Sequence, residues 1–260
     1  MARQRTIAFC GDWRPGLEAR AIPLAWRAYA GRSATIGFSE YRPLLEAADR
    51  MLPRRLERVL VADRGFQHIR LARWTLEHDW RLRLRVKGNL RIAFPDGTGG
   101  RISQRRRRFG AVRCLDSVFI GADHVGPFGL MLTWPRYGKD RTLHVLSDDP
   151  PTERTLWEFE RREAVETAFR DDKSAGFQLE RSRIRDPHRL EQLLGGLAMA
   201  QLFLKSIGTR VLLDGRRAEV DAHHDEPGAS LLQLGVRQTP MDLLRGRAPK
   251  VEVALMVDSD

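Results

Sequence analysis

The chain has 260 residues, enough to bury a substantial core as one domain or as one domain with an insertion. Lys plus Arg number 45 against 34 Asp plus Glu, and the net charge of +11 favours a polyanionic partner, nucleic acid or an anionic surface, with salt-sensitive binding. No apolar run reaches the roughly 18 residues of a membrane span. Even Leu193 to Ile207 is interrupted by Gln201 and Lys205, residues 1–6 carry no apolar signal segment, and Cys10 and Cys114 stand in unrelated contexts, so a cytoplasmic protein without disulfides or thiolate metal sites is expected.

In chain order, Ala21 to Ala28 reads as a strand and Glu40 to Met51 as a helix ended by Pro53. Val59 to Ala62 is a short buried strand that leads into Asp63, and Gly65 permits a tight turn behind it. The helix that follows, Phe66 to His78, places Phe66, Ile69, Ala72 and Leu76 on one inward face. Trp80 to Lys87 alternates, with Trp80, Leu82, Leu84 and Val86 on one side and Arg81, Arg83, Arg85 and Lys87 on the other, which predicts a strand with one basic face. Residues 88–150 change character. Short strand-like pieces, Asn89 to Phe94, Ala111 to Phe119, Phe128 to Trp134 and Thr142 to Leu146, are broken by Gly and Pro and read as a β-rich insertion. The run Arg105 to Arg108 within it is either a solvated turn or a loop that contacts phosphates, because adjacent guanidiniums repel unless an anion lies near.

After Asp148-Asp149, a turn leading to Pro150 and Pro151, a helix is predicted over Thr152 to Ser174. Phe159, Arg162, Glu166 and Lys173 fall within an arc of about 60° on it, so one face carries a ring, a guanidinium, a carboxylate and an ammonium. Trp157, Ala164, Val165, Ala168 and Ala175 supply the opposite, apolar stripe, which makes Trp157 a core residue by phase. Taken alone, the charged stripe is a solvated face; the acid at the end of Val59 to Ala62 gives it a chemical partner. Asp186 and Pro187 supply an N-cap and first-turn proline for a second long helix that ends near Gly208. Leu190, Leu193, Leu194, Leu197, Met199, Leu202 and Phe203 predict that it is buried against the sheet. The tail is charged, with one short helical stretch at Met241 to Arg245, and His223-His224-Asp225 in it reads as a surface loop rather than a metal site.

The spacing F-x2-R-x3-E-x6-K from Phe159 to Lys173 resembles the Y-x2-R-x3-E-x6-K signature of bacterial DDE transposases of the insertion-sequence-four group, with Phe159 in the tyrosine place. Ala62 to Phe66 is similar to the family's second-acid motif, and Ala21 to Trp26 to the strand before it. The stretches Lys173 to Ile184 and Arg185 to Leu190 also read like family members, so the resemblance covers roughly residues 20–210.

The resemblance implies an α/β fold: a ribonuclease-H-like mixed sheet flanked by helices and interrupted by the β-rich insertion. The catalytic core would comprise residues 1–87 and 151–210, the insertion 88–150 and a charged tail 211–260. Asp63 and Glu166 would be the second and third acids of the triad, holding Mg²⁺ or Mn²⁺, with Arg162, Lys173 and Arg64 on DNA phosphates. Phe159 lacks the tyrosine hydroxyl, so stacking or packing is what remains to it; for Trp157, core by helical phase, the resemblance implies contact with DNA bases as the alternative. The first acid is the departure. Asp12 is the one acid before Glu18, yet it stands too close to Ile22 for the usual intervening hairpin; either Asp12 takes the place, or the reading frame starts late and lacks the opening strand. The implied partners are double-stranded DNA, both element ends and target, and a second copy of the chain on that DNA; no membrane is implied, and the setting is the bacterial cytoplasm at the nucleoid. Three functions stay open: a transposase that cuts and rejoins element ends, an inactive remnant that binds DNA without specificity, and a structural or RNA-binding basic protein.

Overall fold

The computed structural model describes residues 2–10, 21–30, 37–105, 111–134, 142–163, 165–166, 177–221 and 229–248. They fall into two compact units, one of residues 33–163 and one that joins 1–32 to 164–260. In the second of these, strands β1 (Ala2–Cys10) and β2 (Ala21–Ala30) pair antiparallel. The first holds α1 (Phe38–Met51), β3 (Val59–Ala62), α2 (Ile69–Glu77), β4 (Arg81–Arg85), β5 (Arg91–Ala93), β6 (Gly99–Arg101), β7 (Ala111–Ile120), β8 (Val125–Trp134), β9 (Leu143–Ser147) and α3 (Glu153–Glu160).

Residues 33–163 build an α/β body on a seven-stranded sheet of order β3-β4-β9-β8-β7-β5-β6. It is mixed: β3 and β4 run parallel, joined through α2, and every other pair is antiparallel. The β-rich stretch between β4 and α3 is therefore hydrogen-bonded into the same sheet as β3 and β4. Leu82, Leu84, Val118, Phe128, Leu130, Leu132, Val145 and Leu146 are at most 1% exposed and make the sheet's core. Each such side chain contributes about 1.5–3 kcal/mol by leaving water.

The β3 strand forms over the residues its apolar run predicts, and α1 begins two residues ahead of Glu40. The phase of α2 is a correction. Leu71, Ala72, Trp74 and Thr75 are its buried residues, whereas Leu76 is 41% exposed. Phe66 lies ahead of the helix in a 3-10 turn, Arg64–Phe66, and α2 starts afresh with His68 as its cap, so the face counted from Phe66 is rotated.

The unit of residues 1–32 and 164–260 also contains α4 (Pro187–Leu213) and α5 (Leu231–Leu244). The predicted cap of α4 is present, with the Asp186 carboxylate accepting from Arg189 N at 2.8 Å. Its predicted end at Gly208 is not, because the helix runs on to Leu213. Gly208 serves a different need: a Cβ there would sit 2.0 Å from the Leu231 carbonyl oxygen, and one on Gly235 would sit 1.9 Å from that of Leu204. The two glycines let the backbones of α4 and α5 touch. The tail, expected to be charged with one short helical stretch at Met241 to Arg245, folds a longer, 14-residue helix that begins at Leu231 and is capped by Ser230 and Gln233.

Nor is α4 buried on most sides. Leu190 and Leu194 pack with Ala28, Trp26 and Ile184, but Met199 is 69% exposed. At 27 residues α4 does have the length and hydropathy of a membrane span. Its polar positions speak for protein contacts, since buried Lys205 donates to the Ala21 carbonyl at 2.9 Å and to Gln201 at 2.8 Å.

Tyr41 on α1 is 4% exposed, and its hydroxyl has no hydrogen-bond partner among the described residues. Burial pushes the phenol up to about 12, so the fold prefers its neutral form. That preference is whole below the unfolded phenol's value of about 10 and is lost as pH rises toward the folded value. Tyr41→Phe is therefore expected to leave stability at pH 7 unchanged or raise it by about 1 kcal/mol, and to flatten the loss of stability above pH 10. Denaturant melts from pH 7 to 11 check both.

Candidate active site

Asp63 stands at the carboxyl end of β3, where α/β sheets commonly present ligand-binding groups. Its carbonyl oxygen accepts from Phe66 N at 2.9 Å, which closes the 3-10 turn behind it. The side chain is 41% exposed, and Arg85 Nη1 lies 3.5 Å from Oδ1. The parallel register produces that approach: Ala62 pairs with Leu84, so the next residue on each strand brings Asp63 beside Arg85. Arg64 is exposed in the turn.

The predicted helix is observed as α3, followed after a turn at Arg161 by further helical residues at 162, 163, 165 and 166. Its face corrects the predicted one. Thr155, Glu158 and Phe159 are buried, and Trp157, expected in the core, is 53% exposed with Arg161 stacked 3.7 Å above its ring. Phe159 is 4% exposed and packs on Met131 and Val145, with Val61 of β3 at the margin. A ring with no hydroxyl has nothing to keep it at the surface, so here Phe159 packs. Arg162, half-buried, holds its guanidinium carbon 5.6 Å from the Phe159 ring. Glu166 is exposed and belongs to the other compact unit, and Lys173 and Asp12 lie outside the described residues.

The second correction concerns β4. Its predicted basic face is fully exposed only at Lys87, with Arg81 and Arg85 half-buried: Arg83 has a fully buried side chain, and its guanidinium donates to Glu158 at 2.6 Å and to Asp148 at 2.9 Å. Arg81 pairs with Glu57, Asp148 and Asp149, and Arg154 of α3 reaches both Glu158 and Glu57. Burial works against the Arg81 charge, but the carboxylates of Asp148, Asp149 and Glu57 outweigh it and hold the guanidinium more firmly protonated than usual. The antiparallel register explains the meeting, since Arg83 pairs with Ser147 and the two aspartates follow directly. Leu82 N also donates to Asp148 at 2.7 Å. Asp148-Asp149 is thus a carboxylate clamp as well as a turn. Arg83 and Glu158, neither foreseen as important, tie α3 to the strand beside β3. Three arginines alternating in a buried strand were the available signal, because buried guanidiniums demand partners.

A divalent cation at Asp63 would find the right donor type, a partly exposed carboxylate oxygen. Among the described residues no group of three or more His, Cys, Asp or Glu converges to hold one. Asp63 therefore fits as one member of a metal-binding set, not as a complete site.

A mixed α/β sheet with an acid at the end of its parallel pair, faced by a helix that buries Glu158 and Phe159, is consistent with a ribonuclease-H-like fold. The model of the family described as "Transposase DDE domain" matches residues 39–203, more than half of the chain, and the chain belongs to that family. No curated protein matches it with significance.

Removing one partner of a buried ion pair typically costs about 3–5 kcal/mol because the other charge is left uncompensated. Arg83→Met, which leaves Glu158 with Arg154, and Glu158→Gln, which leaves Arg83 with Asp148 and Asp149, are each expected to lower stability by about 1.5–3 kcal/mol, less than that amount because part of the network remains, and Arg42→Gln, which breaks an exposed pair with Glu46, by less than about 1 kcal/mol. Urea melts of the three variants make the comparison.

Proposed function

We propose that the chain is a cut-and-paste transposase of the insertion-sequence-four group, cleaving and rejoining phosphodiesters at the ends of a mobile element. Asp63 and Glu166 are its carboxylates for Mg²⁺ or Mn²⁺. The observation that carries the reading is Asp63 itself, a half-buried acid at the carboxyl end of β3 within the matched family region. The packing of Phe159 against Val61 supports it, because it ties α3 to the strand that ends in this acid.

Cleavage requires an oxygen nucleophile in line with the leaving oxygen. Divalent ions held by carboxylates supply activation of the first and charge stabilisation of the second. Asp63 and Glu166 bring the negative charge that such cations need. Arg162 is suited to grip a phosphate bidentately, while Lys173 and Arg64 act as positive charges on the flanking backbone. Phe159 contributes by packing. Two copies of the chain act together, one on each element end.

A competing reading, a remnant that binds DNA without cutting it, draws on the absence among the described residues of any group of three or more His, Cys, Asp or Glu that could hold a metal ion. One assay separates the two. The parent should cleave an element-end duplex in Mg²⁺ and stop in chelator. Asp63→Ala and Glu166→Ala should each lose about a thousand-fold in rate, the several kcal/mol of charge stabilisation that metal supplies, while still binding duplex. A parent that binds but never cleaves would leave the remnant reading standing.

A further inference from the structure

Arginines in the body of residues 33–163 divide into two populations. Those of β4 are matched by carboxylates. On the far side of the sheet Arg91 and Arg101 are not, among the described residues. Residues 87–113 contain eight basic side chains and one acid, Asp96, a net +7 in 27 residues out of +11 for the whole chain. Asp96 is already engaged, its carboxylate accepting from Thr98 N at 2.8 Å and from Thr98 Oγ1 at 2.7 Å.

The hairpin of β5 and β6 carries two of these side chains, Arg91 and Arg101. Pro95, Asp96 and Gly97 make its turn: Gly97 N donates to the Phe94 carbonyl at 3.0 Å, Gly97 has φ +79°, and Phe94 N closes the ladder to Thr98 O at 2.8 Å. The register that follows pairs Ala93 with Gly99, Ile92 with Gly100 and Arg91 with Arg101. Ile92 is buried, so alternation turns Arg91 and Arg101 to the opposite face, where both are exposed. Neither guanidinium has an ion-pair partner among the described residues, and β6 is the edge of the sheet. Directly opposed like charges, with Cβ atoms about 5 Å apart, destabilise a strand pair. The chain then continues through Arg105, whose guanidinium carbon lies 4.8 Å from the Phe94 ring, to Arg108.

We propose that the β5–β6 edge hairpin is a second DNA-binding surface, on which Arg91 and Arg101 contact phosphates of duplex DNA without reading sequence. A fixed, uncompensated cross-strand pair suits a dense array of negative charge, and duplex DNA carries about one per 1.7 Å of axis. The proposal rests on the transposase reading only for the nature of the polyanion.

The test is the salt dependence of binding to a 30-base-pair duplex of arbitrary sequence, measured in chelator so that catalysis plays no part. Each lost phosphate contact lowers the slope of log affinity against log salt by about 0.9. Arg91→Gln/Arg101→Gln should therefore lower it by about 1.8, so that the affinity change between 50 and 200 mM salt becomes roughly 12-fold smaller than in the parent. Arg91→Lys/Arg101→Lys should keep the parent slope, and Arg42→Gln/Arg73→Gln, with the same net-charge change on exposed arginines elsewhere, should alter it by less than about 0.5. The glutamine pair should melt at the parent temperature or above it. An unchanged slope in the glutamine pair, an equal fall in the Arg42/Arg73 control, or a parent that prefers polyglutamate to duplex would overturn the proposal. Failure of the transposase reading would show separately, as absence of metal-dependent cleavage by the parent.

Discussion

A guanidinium with no exposure to water sits between a sheet and a helix, and the arrangement around it follows from the need to satisfy it. Arg83 faces α3 from the middle of β4, where an unpaired charge could not be tolerated. Glu158 answers it from the helix, and Asp148 and Asp149 answer it from the end of β9. Because these carboxylates come from different elements, the pairing fixes the helix both along its axis and in rotation. Phe159, the next residue after Glu158, is thereby directed into the seam beside Val61. The helix is thus joined by a polar contact to β4 and by an apolar one to the margin of β3, the strand that ends in Asp63, through two successive residues.

Much of this was legible in the chain. The apolar run at Val59 to Ala62 gave the strand and put Asp63 at its end, and the Asp186-Pro187 pair gave the start of α4. Family membership was carried by ordered motifs along the chain, and the family match spans most of them. The helix face was not legible, because periodicity places residues around an axis but does not say which side meets a neighbour. Trp157 is the more apolar candidate by size, yet Glu158 and Phe159 are buried, since a buried arginine across the interface claims the glutamate. Likewise the alternation of Trp80 to Lys87 could not reveal that Arg83 on its basic side faces protein. The partners of Arg83 lie 65 to 75 residues onward, and the pairing of β4 with β9 brings the aspartates near. Gly208 misled for a related reason: a glycine that ends a helix and one that admits another backbone are indistinguishable until the second helix is placed.

Charge in this chain is therefore of two kinds that composition merges. In and beside β4 the arginines are internal ties, matched by carboxylates and spent on holding the fold. Along β5 and β6 they are surplus. An excess of +11 would suggest a diffuse attraction for polyanions, but most of it resides in one 27-residue stretch. An attraction concentrated there orients a bound duplex as well as retaining it.

The edge position of β6 gives Arg91 and Arg101 a bearing on solubility as well. An open strand edge offers unpaired backbone groups to any extended chain nearby, and charged side chains are a common guard against such recruitment. This edge is short and rich in glycine, features that otherwise specify register weakly. Two opposed guanidiniums would repel a second copy of the same hairpin approaching edge to edge. Neutralising them removes that protection, so the sheet's defence against self-association and its affinity for polyanions depend on the same two side chains.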